Sequence, residues 1–238
     1  MHVAESGSRA WGFASPDSDY DVRAIYISPS DVYLSIGEHK DTFEYIENQW
    51  FDVGGWDIHK ALSLLRKSNA VLLEWLQSPT VYQQDDDFVK QLNDIVPQYV
   101  QTAPLLHHYR GIAHNALKDL DLQNEIRLKK WFYVLRPLLA ARWAVLHGGV
   151  PPMVLRDLMS DWQTTHHQEI FDLIELKSNQ DEQYRHILSA NLRHLTQQLI
   201  DEVAQLSPPV ISSPAIEPLN QLFRATLKRC EQTVFQAA

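Results

Sequence analysis

Up to about residue 54 the chain alternates short apolar runs with turn residues. The runs "DVRAIYIS" (21–28), "DVYLSIG" (31–37) and "DTFEYIE" (41–47) are rich in β-branched and aromatic side chains. Each is bounded by Ser, Pro, Gly or Asp, and all three read as strands. "IENQWFDVGG" ends in a further strand, closed by Gly54 and Gly55. From Trp56 the period changes: Ile58, Ala61, Leu62 and Leu65 fall at helical spacing, with Asp57 in the first turn, where a negative charge suits the helix dipole. Asn69 divides this region into two helices and Pro79 ends it.

Beyond residue 85 the pattern predicts helices and no strand. "DDFVKQLNDIVPQYV", "LLHHYRGIAHNALKDL", "EIRLKKWFYVLRPLLAARWAVLHGG", "PMVLRDLMSDW", "HHQEIFDLIELKS", "EQYRHILSANLRHLTQQLIDEVAQL" and "EPLNQLFRATLKRCEQTVFQ" all place apolar residues at i, i+3, i+4, i+7. Pro137 predicts a kink or a loosened start within the third, without requiring a break. "SPPVISSPAIEP" is a Pro/Ser-rich linker before the last helix. The fold class expected is α+β: a small mixed-sheet domain over residues 1–84, followed by an all-α helical domain over 85–238.

Composition narrows the function classes. A hydrophobic fraction of 45% with 21% charged residues is that of a folded globular chain. No apolar run approaches a membrane span, and "MHVAESGSR" lacks the pattern of a signal peptide, so a cytoplasmic protein with no membrane partner is expected. The single cysteine, Cys230, excludes an internal disulfide framework and reads as a packed small hydrophobe. The formal charge of −9 argues against a generic nucleic-acid binder. The charge is uneven, however: "RLKKWFYVLRPLLAAR" (127–142) carries five basic residues and no acid.

The candidate chemistry lies at the start, in "ESGSRAWGFASPDSDYDV" (5–22). If "SDYDVRAIYI" enters a strand, Asp19 and Asp21 project to one side, because strand side chains repeat every two residues. Two such carboxylates repel each other unless a cation sits between them, and a hard ion such as Mg²⁺ takes oxygen ligands of this kind. Upstream, Gly7 and Ser8 can open a tight turn whose amides and hydroxyl favour a phosphate. Metal beside phosphate is what phosphoryl or nucleotidyl transfer requires.

The pattern Gly7-Ser8-Arg9-Ala10-Trp11-Gly12 followed by Ser18-Asp19-Tyr20-Asp21-Val22 resembles the head motif of the DNA polymerase β-like nucleotidyltransferase superfamily. "GWDIHKALSLLRKSN", "LLEWLQSP" and "RLKKWFYVLRPLLA" resemble its bacterial and phage branch of predicted nucleotidyltransferases, some of which occur beside RNA ligases in RNA repair. The resemblance covers about residues 4–143. It implies a metal-dependent enzyme (Mg²⁺ or Mn²⁺) that moves a nucleoside monophosphate from a nucleoside triphosphate such as ATP to an acceptor hydroxyl. It implies that Asp19 and Asp21 hold the metal with a third carboxylate from a neighbouring strand, which helps activate that hydroxyl. Asp52 in "WFDVGG" suits this place, with Asp57 as its competitor. Gly7 and Ser8 would hold phosphates, with Arg9 and Lys60 as further nucleotide-binding candidates. Arg9 has an alternative in pairing with Asp17 or Glu5. Family members usually carry a helix and most of a strand before the motif, so the usual N-terminal helix is expected to be missing.

The remaining signals have plainer readings. Lys60 and Lys67 can be solvated helix surface. The run Arg127, Lys129, Lys130, Arg136 and Arg142, interleaved with Trp131, Phe132 and Tyr133, can be a solvated face or a cradle for a nucleotide or RNA. The pairs His107-His108 and His166-His167 cannot easily chelate one ion, because adjacent helical residues point about 100° apart. An RNA end, a protein side chain and a small molecule all remain open as acceptors. The rival reading is a non-catalytic nucleotide-binding or protein-interaction module on the same fold.

Overall fold

The structure is a computed structural model that describes residues 1–48, 50–212 and 214–237, the side chains of residues 47 and 233–237 excepted. The chain forms two compact units, each made of more than one stretch. The first comprises Met1–Ser6, Tyr20–Val100 and Ser212–Ala238; the second comprises Gly7–Asp19 and Gln101–Ile211.

The first unit is built on a five-stranded sheet of β1 (His2–Glu5), β2 (Tyr20–Tyr26), β3 (Thr42–Asn48), β4 (Phe51–Asp57) and β5 (Val81–Gln84). Their order is β3-β4-β2-β1-β5. Only β2 and β4 run parallel; the other three pairings are antiparallel, so the sheet is mixed. The fold class is α+β, with a helical C-terminal region, as the patterning predicts. Helix α3 (Ile58–Leu65) buries Ile58, Ala61, Leu62 and Leu65, the four positions whose spacing announced it. Ser68, at φ +53°, turns the chain, and the Asn69 side chain accepts the Leu72 N–H to cap α4 (Ala70–Trp75). Helices α5 (Asp86–Ile95) and α11 (Glu217–Ala237) complete this unit. The apolar positions proposed at the end of α11 lie outside the described side chains.

Three local expectations are corrected. "DVYLSIG" is no strand: Ser30–Tyr33 forms a single helical turn, α2, introduced by Pro29 at its N-cap. The segment has no strand partner, its Leu34 and Ile36 are exposed, and the Tyr33 hydroxyl is tied to Asp57. The pair Gly54-Gly55 does not end β4, which runs on to Asp57. A Cβ at Gly55 would stand 2.3 Å from Cε1 of Phe43 on β3, so this glycine serves the close approach of that ring. Strand β5 went unread because it is four exposed residues with two apolar ones, too short to carry a period.

The second unit is helical. Its centre is α7 (Leu128–His147), which packs on α6 (Thr102–Leu117) and α10 (Ala190–Gln205). Helix α7 buries Trp131, Phe132, Val134, Leu135, Leu138 and Leu139 on nearly all sides, as a central helix must. Pro137 lies inside it without ending it, and Gly148 closes it at φ +67°. Helices α8 (Leu155–Leu158) and α9 (His167–Ser178) follow. The expectation of no strand beyond residue 85 is corrected by one small antiparallel pair, β6 (Ile126–Arg127) with β7 (Arg185–His186). Two-residue strands have no readable alternation. Asn69→Ala removes the α4 cap and should lower the unfolding free energy by about 1 kcal/mol in urea denaturation.

Candidate functional site

The first unit supplies two carboxylates. β2 and β4 run parallel with Asp21 opposite Asp52, so the two side chains share one face at one level of the sheet. Both reach the same atom: one terminal guanidinium nitrogen of Arg23 lies 2.9 Å from Asp21 Oδ1 and 2.7 Å from Asp52 Oδ2. The oxygens are therefore within about 6 Å of each other, a spacing two hydrogen bonds to one donor impose. The other terminal nitrogen of Arg23 donates to the carbonyls of Val22, at 3.0 Å, and Asp52, at 2.9 Å. Glu5 fixes the near end of β2: its Oε1 accepts the Asp21 N–H at 2.8 Å, and its Oε2 accepts the Tyr82 hydroxyl. The Ser6 amide donates to the Asp21 carbonyl at 2.8 Å, so the Asp21 backbone is held through both polar groups.

Asp57 lies elsewhere. It pairs with Tyr26, five residues further along the same two strands, about 16 Å away at ordinary strand rise. Its Oδ1 caps α3 through the His59 N–H, and its Oδ2 accepts from Tyr33 and Ser28 and lies 3.2 Å from His39 Nε2. A fully buried carboxylate with this many donors is a structural one. Desolvation by burial raises the Tyr33 pKa, and the Asp57 carboxylate adds to this, so the hydroxyl stays a donor. Lys60 faces Asp41 at 3.3 Å.

The second unit holds the stretch Gly7–Asp19. Gly7 has φ +62°, which suits glycine, and opens the one-turn helix α1 (Gly7–Trp11). The Ser8 hydroxyl donates to Ser18 Oγ at 3.1 Å, and the Arg9 guanidinium donates to the carbonyls of Ser18, at 2.7 Å, and Asp19, at 3.0 Å. These bonds tie the two halves of the motif together within the unit. Strand β2 begins at Tyr20, so Asp19 stands in the turn before it and the alternation expected of Asp19 and Asp21 does not extend to Asp19.

Residues about 160 positions away anchor this loop. Ser18, fully buried, donates to Glu182 Oε1 at 2.9 Å, while the Asp17 carboxylate accepts the Glu182 N–H. The Lys177 ammonium, also buried, donates to Ser15 Oγ at 2.8 Å. Burial pushes its pKa down to about 8, with Glu182 and Asp17 pulling it back and Lys129 lowering it further. Sequence reasoning missed Arg23, Glu5, Lys177 and Glu182. Arg23 alone carried a local signal, being two residues from Asp21 on the same strand face.

No group of three or more His, Cys, Asp or Glu side chains converges as a metal site among the described residues. The Asp21–Asp52 pair is a smaller donor set: two carboxylates closing on one cation, which Arg23 supplies here. Its chemistry fits a hard divalent ion, which prefers carboxylate oxygens.

A family model described as "RNA repair pathway DNA polymerase beta family" (RlaP) matches residues 1–225. The chain belongs to this family. It is 42% identical over 161 residues to the uncharacterized protein YcgL of Bacillus subtilis (strain 168), an alignment covering 68% of this chain and 62% of that relative. No solved structure matches. RlaP membership covers both halves of the opening motif and both carboxylates of the sheet pair.

Two outcomes follow. Asp57→Ala should lower the unfolding free energy by about 2 to 4 kcal/mol, through a lost cap and orphaned donors, whereas Asp52→Asn should change it by about 1 kcal/mol or less in the same urea titration. For Lys177, the folded-state pKa of about 8 lies below the ordinary 10.5. Between those values the unfolded chain holds more protons, so the Lys177 contribution to stability is lowest below pH 8 and rises with pH. Wild type should therefore gain stability relative to Lys177→Met as pH rises from about 8 to 10; a pH-independent difference would refute desolvation of the ammonium.

Proposed function

We propose that this protein is a metal-dependent nucleotidyltransferase that moves a nucleoside monophosphate from a nucleoside triphosphate to an acceptor hydroxyl. The observation that carries this reading is the pairing of Asp21 with Asp52 across β2 and β4 in a chain of the RlaP family. Asp21 and Asp52, the two carboxylates that the sheet brings together, would hold Mg²⁺ or Mn²⁺. When bound, such an ion neutralises the triphosphate and the charge that shifts onto the leaving pyrophosphate.

The chain's own residues have separate tasks. Gly7 and Ser8 bind the outer phosphates, and Arg9 fixes the backbone carrying Ser18 and Asp19. Arg23 bridges the two carboxylates and holds them adjacent. Asp52, with the more exposed side chain of the pair, takes the proton from the acceptor hydroxyl. The new bond joins the acceptor oxygen to the α-phosphorus; the bond from that phosphorus to the β-bridging oxygen breaks, and its electron pair leaves with pyrophosphate.

Asp52 is preferred to Asp57 as the third carboxylate because only Asp52 stands opposite Asp21. Lys60, engaged with Asp41, is a weaker candidate for the nucleotide. The family's RNA-repair description makes an RNA end the first acceptor to screen. A net charge of −9 favours a short end over a long duplex. No described helix is long and apolar enough to cross a membrane, and the single cysteine suits a reducing cytoplasm.

One observation favours the non-catalytic reading: the cation between the carboxylates is the chain's own Arg23. Calorimetric titration of ATP, GTP, CTP and UTP with Mg²⁺ separates the two. Catalysis predicts metal-dependent binding by wild type, weakened about a hundredfold or more in Asp21→Asn/Asp52→Asn, as expected when charged ligands are removed. Absence of binding by folded wild type supports the interaction module.

A further inference from the structure

The helical unit contains a cavity of about 310 Å³ whose walls include Arg127, Lys129, Lys130, Tyr133, Glu182 and Gln183. The basic run that supplies it divides by location. Trp131 and Phe132 are core, Arg136 is buried over the Trp11 ring with its Nε on the Met153 carbonyl, and Arg142 pairs with Glu202. What remains, Arg127, Lys129, Lys130 and Tyr133, converges on one space.

The charges of that space are unequal. Both oxygens of Glu182 are engaged, one by Ser18 and the other by Lys129 at 2.5 Å. Lys130 meets the exposed Asp119 at 3.3 Å, a surface pair worth little. The Arg127 side chain has no hydrogen bond or ion pair among the described residues, its backbone being paired in β6. The cavity therefore offers Arg127, Lys130 and the remaining donors of Lys129 to an anion. Tyr133 is fixed beside them: its ring stands edge-on to Trp11 at 5.3 Å, near Phe13, and the Lys129 ammonium lies 5.7 Å from its centroid. Trp11 and Phe13 flank Gly12 of the opening motif, and Glu182 bonds to Ser18, the residue before Asp19. The cavity wall thus touches the motif loop through Glu182 and Tyr133.

A fixed aromatic ring beside a guanidinium and two ammonium groups is suited to a nucleotide: the ring meets the base and the cations meet its phosphate. The volume is at the small end of ligand pockets, roomy for inorganic phosphate and sized for a single nucleotide. We propose that this cavity seats the phosphate-bearing terminal nucleotide of the acceptor, with Arg127 and Lys130 on the phosphate and Tyr133 beside the base. This rests on the nucleotidyltransferase reading for the word acceptor, but the binding itself does not.

The test is calorimetric titration of 5′-AMP, 3′-AMP, adenosine and inorganic phosphate into the full chain without metal. Wild type should bind at least one monophosphate about tenfold or more tightly than adenosine, which lacks the charge-assisted contact, or phosphate, which lacks the ring contact. Arg127→Gln/Lys130→Gln should lose about tenfold or more, Arg127→Lys should stay within a few-fold, and Asp21→Asn/Asp52→Asn should bind the monophosphate as wild type does. Failure of wild type to bind either monophosphate overturns the proposal, as does equal affinity for inorganic phosphate. Loss of binding in the aspartate variant also overturns it, since the ligand would then occupy the metal site. Monophosphate binding without any ATP–Mg²⁺ binding would uphold the cavity while removing the catalytic reading.

Discussion

Two like charges placed side by side by backbone register are the constraint around which the sheet unit is arranged. Parallel pairing of β2 with β4 places Asp21 opposite Asp52 on one face of the sheet. At a separation of about 6 Å their repulsion amounts to about 1 to 3 kcal/mol between the limits of water and partly buried protein. A cation must stand there, and the chain brings one two residues along the same strand. Glu5 carries a further negative charge to the Asp21 amide, and the Tyr82 hydroxyl on β5 occupies its second oxygen. The four strands β4, β2, β1 and β5 are thus linked by one polar chain across the sheet.

The motif loop of the helical unit is stabilised in another way. It is short and rich in Gly, Ser and Pro, with Ala10 and Phe13 as its buried apolar side chains. Its order comes from bonds to buried polar groups: Ser8 to Ser18, Ser18 to Glu182, Ser15 to Lys177. Such a network has a high cost if incomplete, since each buried donor left alone loses its water without replacement. Trp11 and Phe13 supply the apolar contact by packing on Phe132, Tyr133 and the Arg136 guanidinium. Of the aromatic positions of α7, Phe132 is in this way spent on holding the loop, while Tyr133 touches Trp11 and also lines the cavity.

Much of this was legible in the sequence wherever a local period or a local charge pattern existed. Ile58, Ala61, Leu62 and Leu65 announced α3, and the β-branched run 21–28 announced β2. The motif named the candidate residues. What failed was whatever depends on a partner distant in sequence. "DVYLSIG" has strand composition, yet no strand lies beside it, and Tyr33 is drawn to Asp57. Gly54-Gly55 looks like a terminator because the Phe43 ring that requires a small residue comes from the preceding strand. Lys177 and Glu182 sit in helical text with no sign that the opening loop needs them. The choice between Asp52 and Asp57 could be made only by register, which composition does not encode.

Arg23 has two terminal nitrogens with different commitments. One is tied to the backbone carbonyls of Val22 and Asp52, groups that a metal entering between the carboxylates would leave in place. The other alone spans Asp21 and Asp52. A divalent ion entering there has to displace a single nitrogen, and the guanidinium stays anchored beside it through the first. Its positive charge would then add to that of the metal and oppose ion binding, while favouring a triphosphate that brings negative charge. Under the proposed function, metal and nucleotide entering together would satisfy both demands. Cooperative entry of the two would then be the consequence of placing an arginine, rather than a neutral residue, two positions after Asp21.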